Sequence, residues 1–363
     1  MRDFSRTKRI VIKVGTHVLS KKGRVDTAFL RVVAGQVAEL IRQQRQVILV
    51  TSGAIGMGLS ALEIRKQVKD VKMRQACAAV GQGILMHEYQ NAFSRHSQKV
   101  AQVLLTNGIL SNRKYYVNLK NAVETLLAMK VVPIVNENDC VSIDEIDLAF
   151  GDNDKLSALV ASKIDAGLLM ILTDVAGLYD RNPRKERTAR LIPVVYEITD
   201  EIEAMAGAAG TAVGTGGMKS KLDAIRIAAQ GGCKVVLAHG REKKVILRIV
   251  NGEEIGTLFL SKRRLSNRKR WILNSPAKGT IEIDDGATTA ILNHRSLLPV
   301  GVTGVAGDFV AGDIVDVGGV AKGISRASAV ELTGLLNAAT SGRKSAPQKG
   351  KAIVHVDDLV ISC

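Results

Sequence analysis

Arg9-Ile10-Val11-Ile12-Lys13-Val14-Gly15-Thr16 is an apolar run closed by a lysine and a glycine turn. Its branched residues do not alternate with polar ones, the pattern of a strand buried on both faces of a parallel sheet. Lys13 interrupts the run near its C-terminal end, which sets an ammonium beside a flexible turn. Comparable runs follow at Gln46–Val50, Ala101–Leu105, Val131–Val135, Leu168–Leu172 and Lys234–Ala238. Helical patterns lie between them, over Asp26–Arg45, Met73–Phe93, Asn112–Lys130, Asp154–Ile164 and Met218–Ala229. In the first of these, Phe29, Leu30, Val32, Val33, Val37, Leu40 and Ile41 recur at helical spacing behind Asp26 as the cap. Strand–helix alternation predicts an α/β fold, a parallel-sheet αβα sandwich. Such folds bind ligands beyond the C-terminal ends of their strands.

The chain has 363 residues, too many for one compact core and enough for two domains. No apolar run reaches the roughly 18 residues that span a bilayer. The basic start, Met1 to Arg9, leads into a short apolar run that carries Lys13, so it reads as a first strand and not a signal peptide. Cys77, Cys140, Cys233 and Cys363 are scattered, without C-x-x-C or a nearby histidine pair. That argues against structural zinc or a disulfide framework; no protein-borne metal site is expected, and a reducing cytoplasm is the simplest setting. Fifty-one basic against 35 acidic residues give a net charge of +16, which favours anionic partners: nucleotides, acidic metabolites or nucleic acid. A solvated basic surface is the plainer reading of the same charge. Aromatics are 3% of the chain, which argues against a broad base-stacking platform.

The pattern changes near residue 260. Lys262-Arg263-Arg264-Leu265-Ser266-Asn267-Arg268-Lys269-Arg270 is basic and acid-free and reads as a linker. Short segments punctuated by glycine follow, at Gly279–Ile283, Gly301–Gly307, Gly312–Val317 and Gly323-Ile324, which predicts a small β-rich domain. Asn337 to Lys351 is polar and small and reads as a mobile loop before a last strand, Ala352–Val356.

No Gly-x4-Gly-Lys-Ser/Thr occurs, so the chain is not a P-loop protein by sequence. Gly214-Thr215-Gly216-Gly217-Met218-Lys219-Ser220-Lys221 instead leads glycines and a lysine into a helix. Backbone N–H groups and the positive end of the helix dipole suit a polyphosphate there. Ser52-Gly53-Ala54 follows a strand and could take a carboxylate on backbone N–H groups. It could also be a dinucleotide loop, though its spacing is not Gly-x-Gly-x-x-Gly. Asn136-Glu137-Asn138-Asp139 and Gly151-Asp152-Asn153-Asp154 put acids and amides at a strand end and a helix start, as acceptors for an ammonium or as anchors for lysines. Thr173-Asp174 ends another strand. Each alone also reads as an ordinary turn and helix cap.

Together these stretches resemble the glutamate 5-kinase family of the amino-acid kinase superfamily, over nearly the whole chain. The resemblance is carried by Ile12-Lys13-Val14-Gly15, Thr51-Ser52-Gly53-Ala54-Ile55, Asn136 to Asp139, Gly151 to Asp154, Leu172-Thr173-Asp174 with Gly177-Leu178-Tyr179, Gly214 to Met218, Gly256-Thr257-Leu258-Phe259, and Asn267-Arg268-Lys269-Arg270-Trp271-Ile272. It implies an amino-acid kinase domain over 1–260, a basic linker over 261–273 and a PUA-like β-barrel, an RNA-associated module, over 274–363. Between Ser328 and Val354 the family's usual pattern fades.

The implied reaction is transfer of a phosphoryl group from ATP, carried with Mg2+, to the 5-carboxylate of L-glutamate, the first step of proline synthesis. By the same resemblance Lys13, Lys221 and Asp154 are the catalytic residues. Ser52, Asp139 and Asn153 would bind glutamate. Lys13, Thr173, Asp174, Thr215, Gly216, Gly217, Met218, Lys219, Ser220 and Lys221 would line the ATP site. The implied partners are proline as a feedback inhibitor, RNA at the C-terminal module and further copies of the chain in a dimer or tetramer; no membrane is implied. The chemistry agrees: a carboxylate nucleophile is ionised at neutral pH and needs no general base, only alignment and charge neutralisation. The six histidines are accordingly read as structural or surface groups. Cys140, next to Asp139, is read as a small buried residue near the pocket. Two other readings stand beside this one: a kinase for aspartate or N-acetylglutamate, and an RNA-binding protein acting through the basic linker and the β-rich domain.

Overall fold

The computed structural model describes residues 2–21, 23–65, 68–106, 109, 113–141, 153–183, 185–208, 217–261, 265–340 and 352–361. The chain forms two units, Met1–Arg264 and Leu265–Cys363. The strands of the first are β1 Arg9–Val14, β2 Ser20–Lys21, β3 Arg24–Val25, β4 Gln46–Val50, β5 Val100–Leu105, β6 Val132–Glu137, β7 Leu168–Thr173, β8 Val194–Val195, β9 Lys234–His239 and β10 Thr257–Phe259. Eight of them make one sheet in the order β5-β6-β4-β1-β7-β9-β10-β8, and β2 and β3 pair as a small hairpin. From β5 to β9 all neighbours are parallel; β10 joins β9 antiparallel and carries β8 beside it.

The unbroken apolar character of the strands follows from burial on both faces. Ile10, Ile12, Val14, Val47, Leu49 and Met170 pack into one core, while Val11, Ile48, Val50, Leu169 and Ile171 pack into another on the opposite face. The first core includes side chains of the helices Thr27–Arg42, Val71–Ser94 and Val245–Val250; the second includes those of Arg113–Ala128, Asn153–Lys163 and Met218–Gln230. Each large aliphatic side chain fully buried in these layers stabilises the fold by roughly 1.5–3 kcal/mol. The two-residue alternation of β1 has a functional consequence. It puts Lys13 on the face of Val11, under the layer that holds the helices Asn153–Lys163 and Met218–Gln230.

Register aligns the strand ends. Lys13 lies opposite Val50 on one side and Ile171 on the other, Val50 lies opposite Val135, and Val14 lies opposite Leu172. The turns after β1, β4, β6 and β7 therefore emerge along one edge of the sheet. On the first face, Val71–Ser94 packs closely on Ala54–Ala61: a Cβ added at Gly81 would stand 1.8 Å from the Ala54 carbonyl oxygen. The missing side chain lets the longer helix approach the strand ends.

The second unit contains β11 Gly279–Ile283, β12 Val302–Gly307, β13 Ile314–Val317, β14 Ala321–Ile324 and β15 Leu359–Ile361 in the sheet order β12-β11-β13-β14-β15. Its core gathers Ile281, Ile291, Leu297, Phe309, Val315, Val317, Leu332 and Val354. It also holds helices that the glycine-punctuated pattern did not suggest, Asp285–Leu292, capped by Asp284, and Ala329–Thr340. The last strand lies at Leu359–Ile361 and not at Ala352–Val356, where Val354 makes only an isolated bridge to Leu297. Within the stretch read as a basic linker, Asn267–Asn274 is a helix capped by Ser266, with Ile272 and Arg270 buried and Arg268 paired with Asp358. The loop expected over Asn337–Lys351 starts too early, since the helix Ala329–Thr340 continues through its first four residues; its remainder, 341–351, and Lys262 to Arg264 lie outside the described residues.

Candidate active site

Lys13 enters the site from the end of β1. Asp154 comes from the first turn of Asn153–Lys163 and Lys221 from the first turn of Met218–Gln230. These two helices pack on each other above β1, and the three side chains meet. The Lys13 Nζ is 2.6 Å from one oxygen of Asp154 and the Lys221 Nζ is 2.9 Å from the other. Asp154 is fully buried and the lysines are only 7% and 8% exposed. A carboxylate in the first turn of a helix is favoured by the dipole, and here it also holds two ammonium groups that would otherwise repel. The three charged groups are enclosed where charge interactions are strong.

Around this cluster the aligned strand ends supply polar groups. The Ser52 hydroxyl donates to the Val14 carbonyl (3.2 Å) and accepts from Thr16 (2.9 Å). Its proton is thus held inward, and toward a ligand Ser52 can offer a lone pair and its backbone. Gly53 adopts φ of 99°, a conformation natural to glycine, and opens the helix Ala54–Ala61 without a side-chain cap. The Asn153 amide donates to the Thr51 carbonyl (2.6 Å) and to Asn136 Oδ1 (3.0 Å). Asp139 lies half-buried just beyond β6, in a loop tied to β5 by the bond from Asn138 N–H to the Leu105 carbonyl (2.8 Å).

On the other side, Thr173 is buried and its hydroxyl donates to Asp174 (3.1 Å). Burial pulls the Asp174 carboxyl upward, but the Thr173 hydroxyl, its own backbone N–H and the charges of His17 and Lys221 hold it below the ordinary carboxylate range. Gly217 starts the helix Met218–Gln230 without a side-chain cap, a Cβ there would meet nothing within 4 Å among the described residues, and the Ser220 hydroxyl donates back to its carbonyl (2.9 Å). Uncapped first-turn N–H groups beside a buried lysine fit a phosphate. Met218 is half-buried there and Lys219 exposed. Thr215 and Gly216 lie outside the described residues, as do Gly151 and Asp152.

Residues 8–239 match the amino acid kinase family and residues 279–336 the PUA domain. A glutamate 5-kinase of Methanosarcina mazei is 48% identical over 342 residues, covering 91% of this chain and 89% of that protein. One of Syntrophus aciditrophicus is 44% identical over 368 residues, covering 98% and 94%. The chain belongs to the glutamate 5-kinase family. Among solved structures, the carbamate kinase from Giardia lamblia bound to AMP-PNP shares the fold, with a TM-score of 0.50, 18% identity and coverage of 71% of this chain and all of that one.

For a member of the glutamate 5-kinase family, the structure also brings forward residues that the sequence alone did not single out. Gln82 and Tyr89, on the buried side of Val71–Ser94, join the strand-end network. Asn136 Nδ2 donates to Gln82 Oε1 (2.8 Å) and the Tyr89 hydroxyl to Thr51 Oγ1 (2.9 Å). His17, read as a structural or surface residue, is exposed but lies close enough to act on the charge of Asp174. Its position directly after Thr16 was the available signal. Cys140 corrects an expectation: it is exposed, with its thiol 3.9 Å from the Gln75 carbonyl, because the chain leaves the strand end toward solvent there. No helix among the described residues is long and apolar enough to cross a membrane.

Proposed function

We propose that this chain transfers the terminal phosphoryl group of ATP to the 5-carboxylate of L-glutamate. A carboxylate oxygen forms the new bond to phosphorus, the bond from phosphorus to the bridging oxygen breaks, and ADP leaves. The observation that carries the reading is the buried pairing of Lys13 and Lys221 with a single carboxylate, Asp154, at the end of β1. Phosphoryl transfer asks mainly for alignment and for charge to meet the transferring oxygens, and two lysines held at fixed separation supply both. Asp154 acts as the anchor that orients them.

In this reading Ser52, Asp139 and Asn153 receive glutamate, with Asp139 and the Asn153 carbonyl as acceptors for its ammonium. Lys13, Thr173, Asp174 and the segment Thr215 to Lys221 receive ATP. Mg2+ is proposed to arrive on the phosphates of ATP. Bound there, Mg2+ would supply further positive charge to the phosphoryl oxygens. Proline carries the same carboxylate and ammonium as the α-carbon end of glutamate, so it would compete for the same three residues. RNA is the partner proposed for the C-terminal unit, self-association for the whole chain, and the cytoplasm as its setting.

ATP turnover with L-glutamate, L-aspartate and N-acetyl-L-glutamate side by side tests the reading. Glutamate is expected to be the preferred substrate and N-acetylglutamate, which lacks the ammonium, to be inert. Preference for either other acid would overturn the assignment.

Every residue assigned to the reaction lies at or before Lys221, and the large sheet is complete at Phe259. We therefore expect a chain ending at Leu260 to melt cooperatively and to retain glutamate-dependent turnover, since a unit with its own core tolerates removal of a neighbour. A folded but inactive fragment would contradict the division of the chain at 260.

A further inference from the structure

We propose that Gln82 is a positioning residue for the amino-acid substrate, heading a relay of three side-chain amides, Gln82–Asn136–Asn153, that fixes the Asn153 carbonyl as an acceptor for the substrate ammonium. The inference rests on the glutamate-kinase reading above.

A primary amide has a donor end and an acceptor end, so a chain of amides carries a direction. Asn136 donates its Nδ2 to Gln82 Oε1 (2.8 Å), which turns Asn136 Oδ1 toward Asn153. Asn153 Nδ2 donates to that oxygen (3.0 Å) and to the Thr51 carbonyl (2.6 Å). Thr51 is itself held, by its N–H on the Val135 carbonyl (2.9 Å) and by the Tyr89 hydroxyl on its Oγ1 (2.9 Å). With Asn153 Nδ2 directed at these two inner acceptors, Asn153 is left with Oδ1 for a ligand. That oxygen suits an ammonium and not a carboxylate. Without an acceptor at Gln82, Asn136 could turn its amide over and face Asn153 with a donor, and the direction of the relay would be lost.

Gln82 has little structural reason to be an amide. It is only 9% exposed, and its Nε2 is buried with no hydrogen-bond partner among the described residues. A methionine of the same length would fill the place without an orphan donor. What the glutamine contributes is the acceptor oxygen that Asn136 uses.

The test compares Gln82→Met, which removes the acceptor, with Gln82→Glu, which keeps it, in the full-length chain. Gln82→Met is expected to raise KM for glutamate about tenfold or more, with kcat and KM for ATP within about twofold of wild type. Gln82→Glu is expected to recover most of that loss. Asn136→Leu should also raise KM for glutamate, and adding Gln82→Met to it should have little further effect, because both substitutions break one relay. An unchanged KM for glutamate in Gln82→Met overturns the proposal. So do a parallel rise in both KM values with a lowered melting temperature, or additive effects in the double variant. If the wild-type chain prefers another amino acid and Gln82→Met raises KM for that one, the relay stands and the glutamate reading fails.

Discussion

Lys221→Ala is expected to lower kcat for glutamate phosphorylation about 100-fold or more, the scale seen when one donor to a developing negative charge is removed. Lys13→Ala should do the same. Both ammonium groups are buried beside one carboxylate, so each acts on charge in an enclosed site and not through solvent. Because that charge develops mainly in the transition state, KM for glutamate should change little while kcat/KM falls with kcat. Steady-state kinetics of the two variants decides the matter. Near-normal turnover in both would remove the lysine cluster from the mechanism. A rise in KM alone would recast the lysines as binding groups.

Asp154→Ala should have the second large effect, and on two readouts. The carboxylate is fully buried and pairs with both lysines, so its loss removes the anion that the two ammonium groups share. Breaking a buried ion pair by removing one partner costs about 3–5 kcal/mol of stability. The unfolding transition of the kinase unit in denaturant should shift accordingly, and kcat should fall at least as far as in the single lysine variants. A variant as stable as the parent would show that the lysines find other partners. A variant that is unstable but fully active would show that Asp154 serves the fold alone.

Much of this architecture was legible in the chain, for a physical reason. Strands buried on both faces, such as Ile10–Val14 and Leu168–Leu172, must be continuously apolar, so an interruption such as Lys13 stands out. Polar residues crowded at strand ends, such as Asn136 and Thr173, stand out in the same way. Period-two alternation then fixes the face on which Lys13 meets Asp154 and Lys221. What was hidden lay where local pattern carries no such contrast. Gln82 sits in the long helix Val71–Ser94, where Val80 and Ile84 are exposed while Leu85 and Tyr89 are buried. An apolar pattern spread around a helix does not mark its inner side, and a glutamine there reads as a surface residue. The edge strand Val194–Val195 is too short for any periodicity. The helix Asn267–Asn274 was hidden by its charge: Arg268 and Arg270 read as part of a basic linker, whereas one is paired with Asp358 and the other is buried.

The central claim is that phosphorus is delivered to the side-chain carboxylate of glutamate at the Lys13–Asp154–Lys221 cluster. The most direct measurement incubates the full-length chain with ATP, Mg2+, L-glutamate and hydroxylamine, and identifies the trapped product by mass spectrometry while counting ADP. The account predicts the hydroxamate of the 5-carboxyl group, formed in step with ADP and nearly abolished in Lys221→Ala. A hydroxamate at the 1-carboxyl group, or ADP released with no trapped acyl product, would contradict it.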